Sequence, residues 1–363
     1  MHKLEFRLIS MILCLAFCSC GASVTEGSNQ NVSPTAPQAV QTASNPQADT
    51  LQSAAVDPNK FAVIVAGVGG EDAYKKRFTS EAMRLYDALT RRLGFDEKHV
   101  FLLTEDAIGG PENGPRENYF RSTAEEVRNA FKTIKGDMKP GSLVLVTLIG
   151  HGSFDTQQAK FNLVGPDLAA KDYGALLGSL APARIVFVNC ASSSGEFVKP
   201  AAGENRIVIT ATRGGNEQNA TIFAEQFIAA LTDAAADADH NGRLSVIEVF
   251  NYATKLTADW YKQKDRLATE HAVIEDSGDG VGHEEATAGD GALARTTYLD
   301  SRHIEHAGAD AEMTRLLGER QRLEEAIEKL KARKNEMRAE DYDAELERLL
   351  VELAKVNQAI KKK

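Results

Sequence analysis

The chain has 363 residues, too many for one average domain and few for three. It carries 42 Lys and Arg against 52 Asp and Glu, a formal net charge of −10, which argues against a dedicated nucleic-acid binder, since such a protein needs a basic face to displace counterions. Apolar residues make up 43%, enough for a buried core, and no apolar run reaches the roughly 18–20 residues of a spanning helix, so wholesale disorder and a polytopic membrane protein are both excluded.

Residues 1–20 read as an export signal. Lys3 and Arg7 precede the apolar stretch Leu8 to Phe17, and Ser19-Cys20-Gly21 follows. This resembles a bacterial lipoprotein box, which implies acylation of Cys20, export to the cell envelope and attachment to a membrane through lipid. Plain secretion and a retained N-terminal anchor are the alternatives. Cys14 and Cys18 crowd the same region, so the mature chain would keep one thiol, Cys190, and no disulfide framework. Residues 21–58 are rich in Ser, Thr, Gln, Asn, Ala and Pro, the composition of a flexible tether.

A domain over residues 59–300 follows. Phe61 to Ala66 predicts a buried strand, and Ser80 to Leu93 a helix with Ala82, Leu85, Tyr86, Leu89 and Leu93 on one face. His99 to Leu103 predicts a second strand, Thr123 to Ile134 a capped helix, and Ser142 to Ile149 a third strand. Tyr173 to Leu180 predicts a short helix begun by Asp172, Arg184 to Val188 and Arg206 to Thr210 two more strands, and Ala220 to Leu231 a helix. Apolar strands alternating with amphipathic helices give an α/β fold: a mostly parallel sheet flanked by helices, with ligands at the carboxyl ends of its strands.

Residues 309–363 have a different pattern. Met313, Leu316, Leu323, Ile327, Leu330 and Met337 recur at spacings of three, four or seven, and Tyr342, Leu346, Leu349, Leu353, Val356 and Ile360 form a second series. The register breaks across Arg338 to Asp341, which predicts an α-helical coiled-coil hairpin suited to self-association or partner contact; one long kinked helix is the other reading.

The reactive groups lie at two strand ends. The third strand runs into Gly150-His151-Gly152-Ser153 and the fourth into Asn189-Cys190-Ala191-Ser192-Ser193-Ser194-Gly195. In a parallel sheet both ends open on one edge, so an imidazole and a thiol would share a cleft, as thiol nucleophilic catalysis requires. Gly152 permits close backbone approach to a substrate, and the N–H groups of Gly152 and Cys190 are candidate oxyanion donors. The small residues after Cys190 are expected to leave its sulfur accessible.

Strand-Gly-His-Gly-Ser followed by strand-Cys-Ala-Ser-Ser-Ser-Gly resembles the legumain-like cysteine peptidases of the caspase/haemoglobinase fold, over about residues 60–265. The resemblance implies a caspase-like fold and a cysteine endopeptidase that cleaves a peptide or protein substrate through a Cys–His dyad and an acyl-enzyme. By the same resemblance Arg77 falls on a specificity-pocket arginine and Glu225 near a pocket acid. Phe78 stands where legumain has a histidine, Ala191 where it has an acid, and Asn189 where the family usually has alanine. Asparagine specificity is therefore not carried over. A non-catalytic surface scaffold or binding lipoprotein that keeps the fold is the rival expectation.

Residues 237–248 fit a twelve-residue EF-hand-like calcium loop. Asp237, Asp239 and Asn241 supply side-chain oxygens, Gly242 the sharp turn, Arg243 a carbonyl, Ser245 a water-mediated contact and Glu248 a bidentate carboxylate. Ca²⁺ there would be structural; a metal-free loop whose acids cap the next helix is the other reading. Asp276 to Glu284 reads as a plain loop. Gly67-Val-Gly69-Gly70 is rejected as a dinucleotide site, because its glycine spacing is wrong and Glu71-Asp72 would repel a pyrophosphate.

Overall fold

The computed structural model describes residues 55–106, 118–286, 290–301 and 311–362. The signal-type segment, Cys20 with its membrane attachment, and nearly all of the tether lie outside the described residues.

Seven strands form one sheet: β1 (Lys60–Ala66), β2 (Val100–Thr104), β3 (Tyr119–Arg121), β4 (Leu143–Ile149), β8 (Arg184–Asn189), β9 (Arg206–Thr210) and β10 (Val273–Glu275). Their order is β10-β9-β8-β4-β1-β2-β3, and every pairing is parallel except that of β10 with β9. The strand order reverses between β1 and β4, the place where open α/β sheets form their crevice. A second sheet of three short antiparallel strands, β5 (Gly152–Phe154), β6 (Ala159–Phe161) and β7 (Leu168–Ala169), grows from the end of β4. Neither the short sheet nor β3 and β10 has a sequence signature, because two or three residues cannot establish a period.

Helices cover both faces. On one face α1 (Asp72–Arg91), α5 (Phe223–Ala230) and α6 (Val246–Gln263) pack Leu85, Phe227 and Phe250 against Ile64, Val188 and Ile209. On the other, α2 (Ala124–Asp137), α3 (Ala170–Gly178) and α4 (Val198–Ala201) pack Phe131, Tyr173 and Val198 against Val63, Val146 and Phe187. The expected architecture, a mostly parallel sheet flanked by helices, is the observed one.

Three helix starts move. α1 begins at Asp72, well before Ser80: Tyr74 and Phe78 carry the apolar face of Ala82 and Leu85 back through two further turns, between the charged Lys75, Lys76 and Arg77. α3 begins at Ala170, and Asp172 sits inside its first turn, accepting from the Ala169 N–H at 2.9 Å. α5 begins only at Phe223, where a carboxylate from elsewhere in the chain, Glu270, accepts the N–H groups of Ile222 and Phe223.

After α7 (Ala292–Thr296) the chain ends in α8 (Ala311–Ala332) and α9 (Ala339–Lys361). Leu323, Ile327 and Leu330 meet Tyr342 and Leu349 in a separate apolar cluster, so the two helices form the antiparallel hairpin. Its turn lies earlier than expected. Met337, counted in the seam, falls in the connection, and Arg338 is the residue that precedes α9. α8 also docks on the sheet domain: Gln321 Nε2 donates to the Thr296 carbonyl at 2.6 Å, and Tyr298 donates to Glu324 at 3.3 Å.

Candidate active site

The register pairs Leu148 of β4 with Asn189 of β8, so the segments that follow leave the sheet side by side. The Cys190 N–H donates to the Leu148 carbonyl at 2.8 Å, which extends the ladder by one residue. Alternation along β8 turns Cys190 toward the α1 face, where it joins the same apolar cluster as Phe78. His151 meets that face as well. Its ring lies edge-on to Tyr74 at 4.6 Å and to Phe78 at 5.0 Å, both on α1. Thus the topology brings His151 and Cys190 to one edge and one face. Among the described residues, no hydrogen bond joins the ring to the sulfur.

Arg77 stands between them electrically, acting on both groups. It pulls the His151 pKa down, second to burial, and it opposes the rise of the Cys190 pKa. Burial is the main cause of that rise, followed by the carboxylates of Glu81 and Glu270. For His151 a hydrogen bond to the Gly69 backbone and the charge of Glu71 work the other way. At neutral pH the pair therefore rests as thiol and neutral imidazole, not as thiolate and imidazolium.

Two expectations are corrected here. The Cys190 side chain is not open to solvent: Cys190 is 1% exposed, and Ala191, Ser192, Ser193 and Ser194 are buried with it. Small residues pack as readily as they expose, and each serine is used internally. Ser193 Oγ donates to the Gly215 carbonyl at 3.0 Å, and Ser194 Oγ shares a hydrogen bond with Thr212 at 3.1 Å. Second, neither expected oxyanion donor is available. The Cys190 N–H belongs to the ladder, and the Gly152 N–H donates to Ser192 Oγ at 3.2 Å. The Ser192 hydroxyl returns a bond to the Gly152 carbonyl at 3.0 Å. Gly152 is needed for this contact, since a Cβ there would lie 2.3 Å from the Ser192 carbonyl oxygen. Arg77 has internal partners while 31% of its side chain stays exposed. Its Nε donates to Glu81 at 2.9 Å and an Nη to the Thr221 carbonyl, while Thr221 in turn donates its hydroxyl to the Cys190 carbonyl. Glu225 is exposed on α5, close enough to Glu81 to raise that residue's pKa, though burial of Glu81 is the larger cause.

Asn189 has a local reason. Its Oδ1 accepts the Ala191 N–H at 3.0 Å and bends the chain out of β8, a side-chain turn that alanine cannot make. Its Nδ2 is buried without a hydrogen-bond partner.

Sequence reasoning missed the acids around the thiol. Glu270 is buried, accepts from Tyr261 at 2.9 Å as well as from the start of α5, and has a pKa raised chiefly by that burial. Glu217 pairs with His271 Nδ1 at 2.5 Å, and its carbonyl accepts the Ser193 N–H at 2.8 Å. Both acids sit in segments without periodicity, and only the finished fold carries them to this edge.

The loop of residues 237–248 closes on itself. Carboxylate oxygens of Asp237, Asp239 and Glu248 lie within 4.8 Å of one another. Gly242 has φ of +78°, the turn expected of it. Asn241 Oδ1 accepts the Arg243 N–H at 2.7 Å, and Ser245 Oγ donates to Glu248 at 2.6 Å while capping α6. Between α5 and the loop lies a single 3-10 turn, Ala234–Ala236.

No protein-family model matches this sequence, and no curated protein matches it. Among solved structures the chain is similar to the crystal structure of the Drosophila initiator caspase Dronc, at 10% identity and a TM-score of 0.40, over 64% of this chain and 85% of that one. That likeness assigns no residue a role.

Proposed function

We propose that the chain is a cysteine peptidase whose Cys190–His151 site is closed in this conformation. The adjacency of β4 and β8 carries the reading: it delivers an imidazole and a thiol to the same face of one sheet edge, under a shared arginine. His151, resting neutral, would accept the thiol proton as sulfur attacks a peptide carbonyl and would return it to the leaving amine; water then resolves the acyl-enzyme. For this to happen Ser192 must release the Gly152 N–H. A second reading, a non-catalytic scaffold of the same fold, draws support from the buried sulfur and the engaged amides.

One experiment separates the two. Under the first reading a peptide bearing a thiol-reactive electrophile labels Cys190, labelling is lost in His151→Ala, and Cys190→Ala lowers peptide hydrolysis at least about a thousand-fold. Labelling indifferent to His151, with no hydrolysis to lose, would establish the scaffold.

Calcium at residues 237–248 belongs to the same proposal. Three carboxylates converging within 4.8 Å suit a hard divalent ion, with Asp237, Asp239 and Glu248 as its charged donors and Asn241, Ser245 and the Arg243 carbonyl as neutral ones. Bound there, it would screen the repulsion among these acids and fix the first turn of α6. Millimolar Ca²⁺ is expected to raise stability by about 3 kcal/mol if its concentration is a hundred times Kd, and Glu248→Gln to remove the gain. Identical melting curves in Ca²⁺ and in chelator would eliminate the ion.

A further inference from the structure

The opposite edge of the sheet, where the strands begin, holds a cavity of about 590 Å³ roofed by α8. Its size is that of a pocket for a small organic molecule. Leu143 at the start of β4, Pro182 just before β8 and Leu317 on α8 give it an apolar wall.

Two arginines line the same space, and their charges are met differently. Arg184 donates to Thr297 Oγ1 at 2.8 Å and lies 3.6 Å from Glu325, so it is neutralised in place. Arg243 is not. Its guanidinium stacks on the Tyr298 ring, 3.4 Å from the centroid, and its Nε is buried with no hydrogen-bond partner. Among the described residues no carboxylate reaches ion-pair distance from it. Asp300 and Glu324 act on it from beyond ion-pair contact, and Asp300 accepts the Leu244 N–H at 2.8 Å. A half-buried guanidinium with an unpartnered Nε and no carboxylate in direct contact keeps unmet donor capacity, which stacking on a ring and the more distant acids offset only in part. In a chain of net charge −10, a cavity presenting such a cation is set apart from the general surface.

Gly318 of α8 also lines the cavity. A Cβ at this position would meet nothing within 4 Å, although glycine is a poor choice inside a helix.

We propose that this cavity binds a small organic anion, with its carboxylate or phosphate head on Arg243 and its apolar body along Leu143, Pro182 and Leu317. A planar guanidinium fork over an aromatic ring is suited to either oxyanion. The site lies at the far end of the strands from Cys190 and stands independently of the peptidase reading.

Thermal melting of the full chain tests it, with octanoate, inorganic phosphate and octan-1-ol each at millimolar concentration. Octanoate is expected to raise Tm by several degrees and octan-1-ol to leave it unchanged. A rise with phosphate alone would identify the head group as phosphate. Arg243→Gln should abolish the shift. Gly318→Leu, which retains the cation and adds a side chain to the lining, should abolish it too and decides the matter if the arginine variant does not fold. No shift with either anion, an equal shift with octan-1-ol, or a shift that survives both substitutions would overturn the proposal.

Discussion

Iodoacetamide at pH 7 is expected to alkylate Cys190 at least about 100-fold more slowly in the native chain than in the urea-unfolded one. The thiolate is the reactive species, and each unit of pKa rise removes a factor of about ten from its population. Three causes act together on this sulfur. It is buried, Glu81 and Glu270 repel negative charge on it, and only Arg77 opposes them. His151 gives no help at rest, because burial and the same Arg77 hold its imidazole neutral. The alkylation rate should therefore keep climbing above the ordinary thiol range, without the plateau that a preformed thiolate–imidazolium pair gives near neutrality. Glu81→Gln, which removes the stronger of the two carboxylate repulsions on Cys190, should speed the reaction at any fixed pH. Mass spectrometry of quenched time points reads all of this. Fast alkylation that stays level between about pH 6 and 8 would mean an open, ion-paired site and would contradict the closed one.

The site was legible in the sequence as far as its backbone. Val144 to Ile149 is apolar but for Thr147 and Ile185 to Val188 is apolar throughout, and a run of that kind states where a strand ends and hence where His151 and Cys190 emerge. What the small residues then do was not legible. Ala191 and Ser192 to Ser194 fit an open loop and a packed one equally well, and the choice is made by Thr212, Gly215 and Glu217, which arrive from the end of β9. Glu81 shows the same limit. On α1 it reads as one more polar residue of an amphipathic helix, yet it is buried because Arg77 shares its turn. The hairpin seam is visible because heptad spacing is local; the docking of α8 is not, since Gln321 and Glu325 lie off the seam and their partners Thr296 and Arg184 are remote in sequence.

Lys60→Met is expected to cost about 3–5 kcal/mol of stability at pH 7, the largest loss foreseen for a single side chain here. Lys60 opens β1, where an apolar residue would be ordinary, yet its Nζ is enclosed by four oxygens: the carbonyls of Leu93, Leu299 and Asp300 at 3.1, 2.8 and 2.6 Å and Ser301 Oγ at 2.7 Å. One ammonium thus joins the first strand, the chain just past α1 and the segment that leads toward α8. Methionine fills the space but leaves these acceptors without their donor. Burial lowers the Lys60 pKa from 10.5 to about 8, against the pull of Asp300 and Asp57. Between about pH 8 and 10.5 the unfolded chain therefore binds the proton that the native chain has released, and stability from this group rises with pH. The gap between wild type and Lys60→Met should widen across that window by up to about 3 kcal/mol, since the variant has nothing there to titrate. Urea unfolding at pH 7, 8 and 10 measures both parts. A loss below about 1 kcal/mol at pH 7 would show that the four oxygens do not depend on Lys60, and a gap that stays constant above pH 8 would show that its proton is held as firmly inside the fold as in water.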